Sequence, residues 1–166
     1  MEGAVDQETR AFVVFRLGAE EYALPIERVQ SIIRYEEATP VPRTPRAVQG
    51  VINMRGNVIP VLDLSQRLRG KDFVPSATSR IVVAEGSGGT VGLAVDAASE
   101  VANIPTTQIK PAPESILSEE TVGAIGGVAD RDGSLVIILD LDEAVPKAEY
   151  EHAVSREAGQ EGEPDV

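Results

Sequence analysis

The side chains able to do chemistry in this sequence are few, and most of them are carboxylates. Asp63, Asp96, Asp140 and Asp142 could be considered as a general acid and base. Asp63 and Asp140, however, each end an apolar strand before a short helical segment, where a carboxylate accepts hydrogen bonds from free backbone amides. The chain has one histidine, His152, and no cysteine, so a Ser-His-Asp triad or a metal centre lacks its usual residues. We predict no enzyme, no catalytic residue, no metal and no cofactor. A carboxylate site around Asp63 and Asp96 is the enzymatic alternative.

Two glycine-rich segments raise the question of phosphate binding. Residues 86–89 (GSGG) are not followed by the Lys-Ser/Thr pair of a phosphate loop, and residues 123–127 (GAIGG) lack the spacing of a dinucleotide fingerprint. We therefore predict hairpin or bulge glycines. A net charge of -12, with three Phe, three Tyr and no Trp, also opposes binding to nucleic acid, which needs cations and exposed rings.

The charge is unevenly distributed along the chain. Residues 43–71 hold six basic side chains and one acid, whereas residues 142–166 hold eight acids and two bases. A basic stretch in an acidic protein suggests a surface for an acidic partner, although a solvated surface without a partner explains it equally well. No apolar run approaches the roughly 20 residues that span a bilayer, and the N-terminus does not resemble a signal peptide. These features, with the absence of cysteine, predict a cytoplasmic protein without membrane insertion.

The elements that must position these side chains are short strands. Stretches rich in Val, Ile and Phe alternate with Gly, Asp and Pro, which is typical of an all-β protein. The predicted strands cover residues 11–17, 22–26, 29–33, 50–54, 58–64, 80–84, 91–95, 101–104, 122–128 and 135–139.

The segments outside the strands are short turns and two termini. We expect one helical turn from Thr44, a short helix over residues 66–69 with Ser65 as its N-cap, and a helical turn over residues 141–145. Residues 1–9 are predicted to be a flexible leader, residues 10–145 the folded domain, and residues 146–166 an acidic, disordered tail.

The two halves of the chain have a similar outline. Residues 59–64 (IPVLDL) and 136–141 (VIILDL) each follow a Gly-Val pair, and residues 24–27 (LPIE) and 93–96 (LAVD) lead to Val29 and Val101. Each half holds about five short strands, too few to bury much core alone. The sequence therefore predicts two subdomains that share a hydrophobic core.

One segment resembles a family signature. Residues 50–64 (GVINMRGNVIPVLDL) resemble that of the CheW family, a G-x-x-N-x-R-G turn before an apolar strand that contains proline and ends in Asp-Leu. Further matches, which together cover about residues 11–145, are the hairpin of residues 12–26, the pair Val29-Gln30, residues 92–96 (GLAVD) with Val101, and residues 109–113 (IKPAP).

The resemblance implies a fold and a role. It implies two five-stranded SH3-like barrel subdomains packed around a shared hydrophobic core, with a few short helices. It also implies a cytoplasmic adaptor, recruited to membrane-associated arrays, that binds methyl-accepting chemotaxis receptors and the regulatory domain of the histidine kinase CheA. The alternatives are a CheW-like scaffold in a pathway with a non-flagellar output, or an SH3-like module with an unrelated ligand.

The implied binding sites lie at the seam between the barrels and at a strand edge. An apolar groove can hold a receptor helix, and we expect it to involve Val29, Ile32, Met54, Arg55, Val95 and Val101. Plain core packing is the alternative for each apolar residue. Ile109, Lys110 and Pro111 match a region near the kinase-facing edge of the family.

Arg55 is expected to bind a carboxylate, because an arginine in a turn can present its fork of donors. Family members commonly have Glu after the Val-Gln pair, whereas this chain has Ser31. The departure favours a carboxylate on a partner, and a pair with Glu36 or Glu37 is the alternative.

Overall fold

The computed structural model describes residues 8–117 and 123–150. Within them, eleven strands form two sheets. The strands are Thr9–Leu17 (β1), Glu20–Pro25 (β2), Val29–Arg34 (β3), Val48–Met54 (β4), Asn57–Asp63 (β5), Arg80–Gly86 (β6), Gly89–Val95 (β7), Ala97–Pro105 (β8), Ile109–Lys110 (β9), Ile125–Arg131 (β10) and Ser134–Leu139 (β11). The helices are Leu64–Arg69 (α1) and Leu141–Ala144 (α2), and 3-10 turns cover Ile26–Arg28, Thr106–Gln108 and Glu114–Ile116.

Each predicted strand is present, with bounds that differ by a few residues. Strand β9 was not predicted, because it is two residues long and lies between prolines. The predicted strand from residue 122 begins at Ile125, and residue 122 lies outside the described residues. Ile26 belongs to a 3-10 turn rather than to a strand. The predicted helical turn from Thr44 is a single turn, in which the Val48 amide donates to the Pro45 carbonyl at 2.9 Å.

Two of the hairpins close more tightly than the sequence suggested. Between β4 and β5 only Arg55 and Gly56 form the turn, with φ angles of 54° and 88°. Between β10 and β11, Asp132 and Gly133 have φ angles of 55° and 86°. Two consecutive positive φ angles are the mark of a type I′ turn, whose twist matches that of the flanking strands.

The helices are capped by aspartates. The Asp63 carboxylate accepts from the Gln66 amide at 2.9 Å, and Asp140 accepts from the Glu143 amide at 3.2 Å. The prediction that these carboxylates satisfy free backbone amides is therefore confirmed. Ser65 was the wrong N-cap, because α1 starts one residue before it. Gly70 ends α1 in the left-handed conformation, with φ of 69°.

The two sheets interleave the two halves of the chain. The six-stranded sheet has the order β8-β1-β2-β11-β10-β9, and the five-stranded sheet has the order β3-β6-β7-β5-β4. The six-stranded sheet therefore combines the β1–β2 hairpin of the first half with β8 to β11 of the second half. The five-stranded sheet combines the β6–β7 hairpin of the second half with β3 to β5 of the first half. The internal similarity is visible as one parallel pair in each sheet, β5 with β7 and β11 with β2.

The core confirms that the two subdomains share buried apolar surface. A large cluster joins Phe15 and Leu24 of the six-stranded sheet to Leu62, Val82 and Leu93 of the five-stranded sheet. Each sheet also has a smaller cluster of its own. Neither sheet could bury the residues of the large cluster alone, which is why the subdomains stay together.

The folded part of the chain extends further than the sequence suggested. Thr9 already belongs to β1, and residues 147–150 are helical. Tyr150 is buried in the shared core, and its hydroxyl accepts from the Gly88 amide at 2.8 Å. The predicted boundary at residue 145 is therefore too early, since an aromatic ring beyond it is packed. Residues 1–7 and 151–166, which hold the rest of the predicted leader and tail, lie outside the described residues. None of the helices in the described ranges has the length and apolar character needed to cross a membrane.

Candidate functional site

The chain first passes between the sheets at Ile26–Arg28, from β2 to β3, and we call this segment the first crossover. On β3, Val29 and Ile32 lie on one face. Cross-strand partners in a sheet point to the same face, and these two residues pair with Ala84 and Val82 of the shared core. Strict alternation would put residues 29 and 32 on opposite faces. The register shifts between Val29 and Ser31, and this bulge restores a common face. Val29 is half-buried, and the Ile32 side chain is 41 % exposed at the edge of the sheet.

The chain passes between the sheets a second time from β7 to β8, and β8 carries Val101. Val101 on β8 pairs with Val13, whose face is opposite to that of Phe12 and Val14 in the separate core of the six-stranded sheet. Val101 therefore points toward the shared core, yet it is 53 % exposed because β8 is an edge strand. Strand β8 contacts β6, the neighbour of β3. Val95 is fully buried in the shared core. We call Val29, Ile32, Val95 and Val101 the seam surface.

A pair of arginines borders the seam surface. Arg34 on β3 pairs with Arg80 on β6, which pairs in turn with Val95 on β7, so the three residues form one row across the sheet. Arg80 donates to the carbonyls of Ser79, at 2.8 Å, and Ala77, at 3.4 Å. Within residues 8–117 and 123–150, neither guanidinium forms an ion pair with a carboxylate.

Arg28, the residue before Val29, joins three segments of the chain through hydrogen bonds of its side chain. Its Nε donates to the Glu85 carbonyl at 2.9 Å, and a terminal nitrogen donates to Asp142 at 2.8 Å. The same Asp142 oxygen accepts from the Ser87 amide at 3.0 Å. The hydrogen bond from Arg28 is the main reason why the pKa of Asp142 lies below its ordinary value. These contacts join the first crossover, the β6–β7 turn and α2, and they set where Val29 lies.

Two residues expected at the seam lie elsewhere. Met54 is half-buried against the separate core of the five-stranded sheet, because it pairs with Asn57 on the face opposite to the shared core. Arg55 is exposed at the tip of the β4–β5 turn. Among the described residues it pairs with neither Glu36 nor Glu37 and forms no other ion pair. Of the six expected groove residues, Val29, Ile32, Val95 and Val101 therefore face the shared core, whereas Met54 and Arg55 do not.

The residues expected to face the kinase lie at an edge of the other sheet. Strand β9 pairs with β10 through Ile109 and Lys110, and it is the last strand of the six-stranded sheet. Ile109 packs against the separate core of that sheet, whereas Lys110 and Pro111 are exposed. A strand of two residues leaves most of the edge of β10 without a backbone partner in the described part of the chain.

The two carboxylates of the enzymatic alternative accept hydrogen bonds from backbone amides. Asp63 accepts from the amides of Gln66 and Phe73, and Asp96 accepts from the Gly18 amide at 2.6 Å. Burial raises the pKa of Asp63 above its ordinary value, against the effect of its two amide donors. Both carboxylates thus act as structural acceptors. In the described ranges no group of three or more acidic or histidine side chains could hold a metal ion.

Sequence reasoning missed Arg28, Arg34 and Arg80, and it considered Asp142 only as a general acid or base. Ile32 and Arg34 are two positions apart, and side chains two positions apart in a strand lie on the same face. Extending the predicted third strand by one residue would therefore have placed Arg34 beside Ile32. Nothing local signals the pair of Arg28 and Asp142, because the two residues are separated by 114 positions.

Comparisons with known proteins agree with this fold. The family model described as the CheW-like domain matches residues 11–149. The chemotaxis protein CheW of Rhizobium meliloti is 36 % identical over 87 % of this chain and 92 % of its own length. The probable chemotaxis protein CheW of Rhizobium etli is 33 % identical over 90 % of this chain and 96 % of its own length. The crystal structure of the scaffolding protein TtCheW from Thermoanaerobacter tengcongensis has a TM-score of 0.76 and 34 % identity, and it covers 85 % of this chain and 97 % of that chain.

Proposed function

This chain belongs to the CheW family, and from that premise we propose that it is a non-catalytic adaptor that couples the cytoplasmic tips of chemoreceptors to the histidine kinase CheA. The observation that carries the proposal is the seam surface, where exposed Ile32 and Val101 border a shared apolar core. Exposed apolar side chains that border a seam suit an amphipathic helix. The adaptor then works at membrane-associated receptor arrays without inserting into the bilayer.

The receptor helix is proposed to lie against the seam surface. Val29 and Ile32 contact it from the five-stranded sheet, Val101 contacts it from the six-stranded sheet, and Val95 supports them from behind. Arg55 is proposed to bind a carboxylate of a partner from outside this surface, since it is exposed and has no acidic partner among the described residues. Met54 acts through the packing that positions the Arg55 turn.

The regulatory domain of CheA is proposed to bind at the other sheet. Lys110 and Pro111 are exposed there, and the edge of β10 beside β9 offers backbone groups for strand pairing. Receptor and kinase would then bind to separate surfaces, so that both can be bound at once. This separation is what an adaptor requires.

The experiment that tests the proposal measures both partners with one set of variants. Purified chain is titrated by calorimetry with the soluble cytoplasmic hairpin of a chemoreceptor and with CheA, both from the same bacterium. We expect dissociation constants of about 1 μM or lower, which corresponds to roughly 8 kcal/mol. Folded protein that binds neither partner, across all receptors of that genome, would overturn the proposed function.

Matched variants separate the two surfaces. Val101→Asp should weaken the receptor complex by about tenfold or more, because a charge is then buried in the contact. Val74→Asp is the control, since Val74 is 73 % exposed in the loop between α1 and β6 and belongs to neither surface as defined above. Lys110→Glu should weaken binding to CheA alone, with Lys71→Glu as its control. Equal losses for Val101→Asp and Val74→Asp would remove the seam surface from the proposal.

A further inference from the structure

We propose that Arg34 and Arg80 bind a carboxylate on the receptor helix, so that a helix binds tightly only if an Asp or Glu lies about one turn from its apolar contact residues. The inference rests on the proposed function and adds a condition on the partner. It makes Arg34 and Arg80 residues that determine specificity and alignment, whereas the seam surface supplies apolar contact.

The geometry of β3 places the two arginines in line with the apolar contacts. Val29, Ile32 and Arg34 share the face of β3 that pairs with Ala84, Val82 and Arg80. Arg34 and Ile32 are exposed at the sheet edge, so both can be reached from one side. Val95 continues the row of Arg34 and Arg80 into the shared core. The cationic pair therefore forms one end of the seam surface and belongs to the same face.

The pairing of two arginines costs stability within the protein itself. Residues directly opposite each other in an antiparallel pair have Cβ atoms about 5 Å apart, and like charges in that position repel. Across residues 8–117 and 123–150 no carboxylate compensates either guanidinium. The Arg34 guanidinium has no hydrogen bond there, and Arg80 uses one terminal nitrogen for backbone carbonyls. Two adjacent sets of unused donors suit a planar carboxylate, which accepts from both.

The spacing defines where the carboxylate must be. Two residues along a strand span about 7 Å, which is the separation of Ile32 and Arg34 along β3. One turn of α-helix rises about 5.4 Å, and residues three or four apart lie on one face. A helix that runs along β3 with an apolar side chain on Ile32 therefore presents its next side chain, three or four residues on, to Arg34 and Arg80. We infer that this side chain is acidic.

The test compares charge reversal at this position with charge reversal elsewhere. Arg34→Glu, Arg80→Glu and Lys71→Glu are titrated with the soluble receptor hairpin at low and high salt, and with CheA as a second readout. The first two variants should bind the receptor hairpin about tenfold more weakly and lose most of the salt dependence of binding, as expected for one lost charge-assisted contact. Lys71→Glu should match the unchanged chain, and CheA binding should stay the same in all three. Arg34→Glu faces Arg80 as an ion pair, so this variant is expected to stay folded.

A reciprocal substitution identifies the carboxylate. Each Asp and Glu of the receptor hairpin is replaced in turn by Lys, and one replacement should bind Arg34→Glu better than it binds the unchanged chain. If the unchanged chain binds the hairpin and both arginine variants bind equally well, the inference is overturned and the proposed function stands. If the unchanged, folded chain binds neither a receptor hairpin nor CheA, both are overturned. Rescue by one Lys substitution supports both.

Discussion

In both halves of the chain a hairpin ends in an aspartate that caps a short helix, but the two carboxylates lie in different surroundings. Asp63, between β5 and α1, is 6 % exposed and accepts from the Gln66 amide and, at 2.8 Å, from the Phe73 amide. Asp140, between β11 and α2, is exposed, and its carboxylate accepts from the Glu143 amide alone among the described residues. The same local sequence thus produces a buried acceptor once and an exposed acceptor once.

The difference arises from the segment that follows each helix. After α1 the chain turns back over its own hairpin, which brings the Phe73 amide to Asp63. After α2 the chain crosses to the β6–β7 turn, where Tyr150 is buried and accepts from Gly88. Asp142 of α2 also bonds Ser87 of that turn. We call β5, α1 and the segment to Phe73 the first unit, and β11, α2 and the segment to Tyr150 the second unit. The segment after α1 returns to its own hairpin, although Arg69 of α1 also pairs with Glu20 of β2. The segment after α2 instead reaches a turn of the other sheet.

The largest effect is expected where the second unit enters the shared core. Tyr150→Ala should reduce the free energy of unfolding by about 3–5 kcal/mol, because it removes a buried aromatic ring. Tyr150→Phe keeps the ring and loses one hydrogen bond, so it should cost about 1 kcal/mol. Urea unfolding followed by circular dichroism measures both. A cost below about 1 kcal/mol for the alanine variant would show that residues after α2 do not hold the sheets together.

The next effect compares the two capping carboxylates directly. Asp63→Ala leaves two backbone amides without an acceptor in a buried site and should cost about 2–3 kcal/mol. Asp140→Ala removes an exposed cap and should cost about 1 kcal/mol or less. The same urea experiment gives both values. Equal costs would mean that the burial of Asp63 adds nothing to its role.

The stability of the two units should also depend on pH in opposite directions. Burial raises the pKa of Asp63, so the native state binds its proton more tightly than the unfolded state does. The contribution of Asp63 to stability therefore increases as pH falls from the raised value toward the ordinary value of 3.8. The hydrogen bond from Arg28 lowers the pKa of Asp142, so its contribution is complete above the ordinary value and is lost as pH falls through the lowered one.

Two asparagine variants measure this contrast. With decreasing pH, the cost of Asp63→Asn relative to the unchanged chain should grow, whereas the cost of Asp142→Asn should shrink. Urea unfolding at several pH values between about 3 and 6 provides the comparison. Parallel pH profiles for the two variants would contradict the assignment of burial to Asp63 and of an ion pair to Asp142.

The smallest effect concerns the ion pair that joins the second unit to the first crossover. Arg28 and Asp142 are 33 % and 41 % exposed, so solvent screens the pair. A double-mutant cycle with Arg28→Ala and Asp142→Ala should give a coupling energy of at most about 1 kcal/mol. Receptor binding is the more sensitive measurement, since Arg28 positions Val29. Wild-type affinity in Arg28→Ala would show that the pair has no part in shaping the seam surface.

The sequence by itself determined the local elements of this protein. Alternating β-branched residues predicted the long strands, and the aspartates at the ends of β5 and β11 were correctly taken as acceptors of free backbone amides, although Ser65 was wrongly taken as the N-cap of α1. The similar halves also predicted two subdomains with a shared core. These features follow from neighbouring residues, whose backbone preferences and hydrogen bonds act over a few positions. Family membership followed from the same short segments.

Only the tertiary structure decided which strands pair and which side chains from distant parts of the chain contact each other. The exchange of hairpins between the halves, the burial of Tyr150 and the pairing of Arg34 with Arg80 each depend on residues far apart in the chain. Met54 and Val29 were expected on one surface, and the bulge at Gln30 and the pairing of β4 put them on different faces. The physical reason is that strand pairing has a period of two residues, so a single bulge changes which face a side chain occupies.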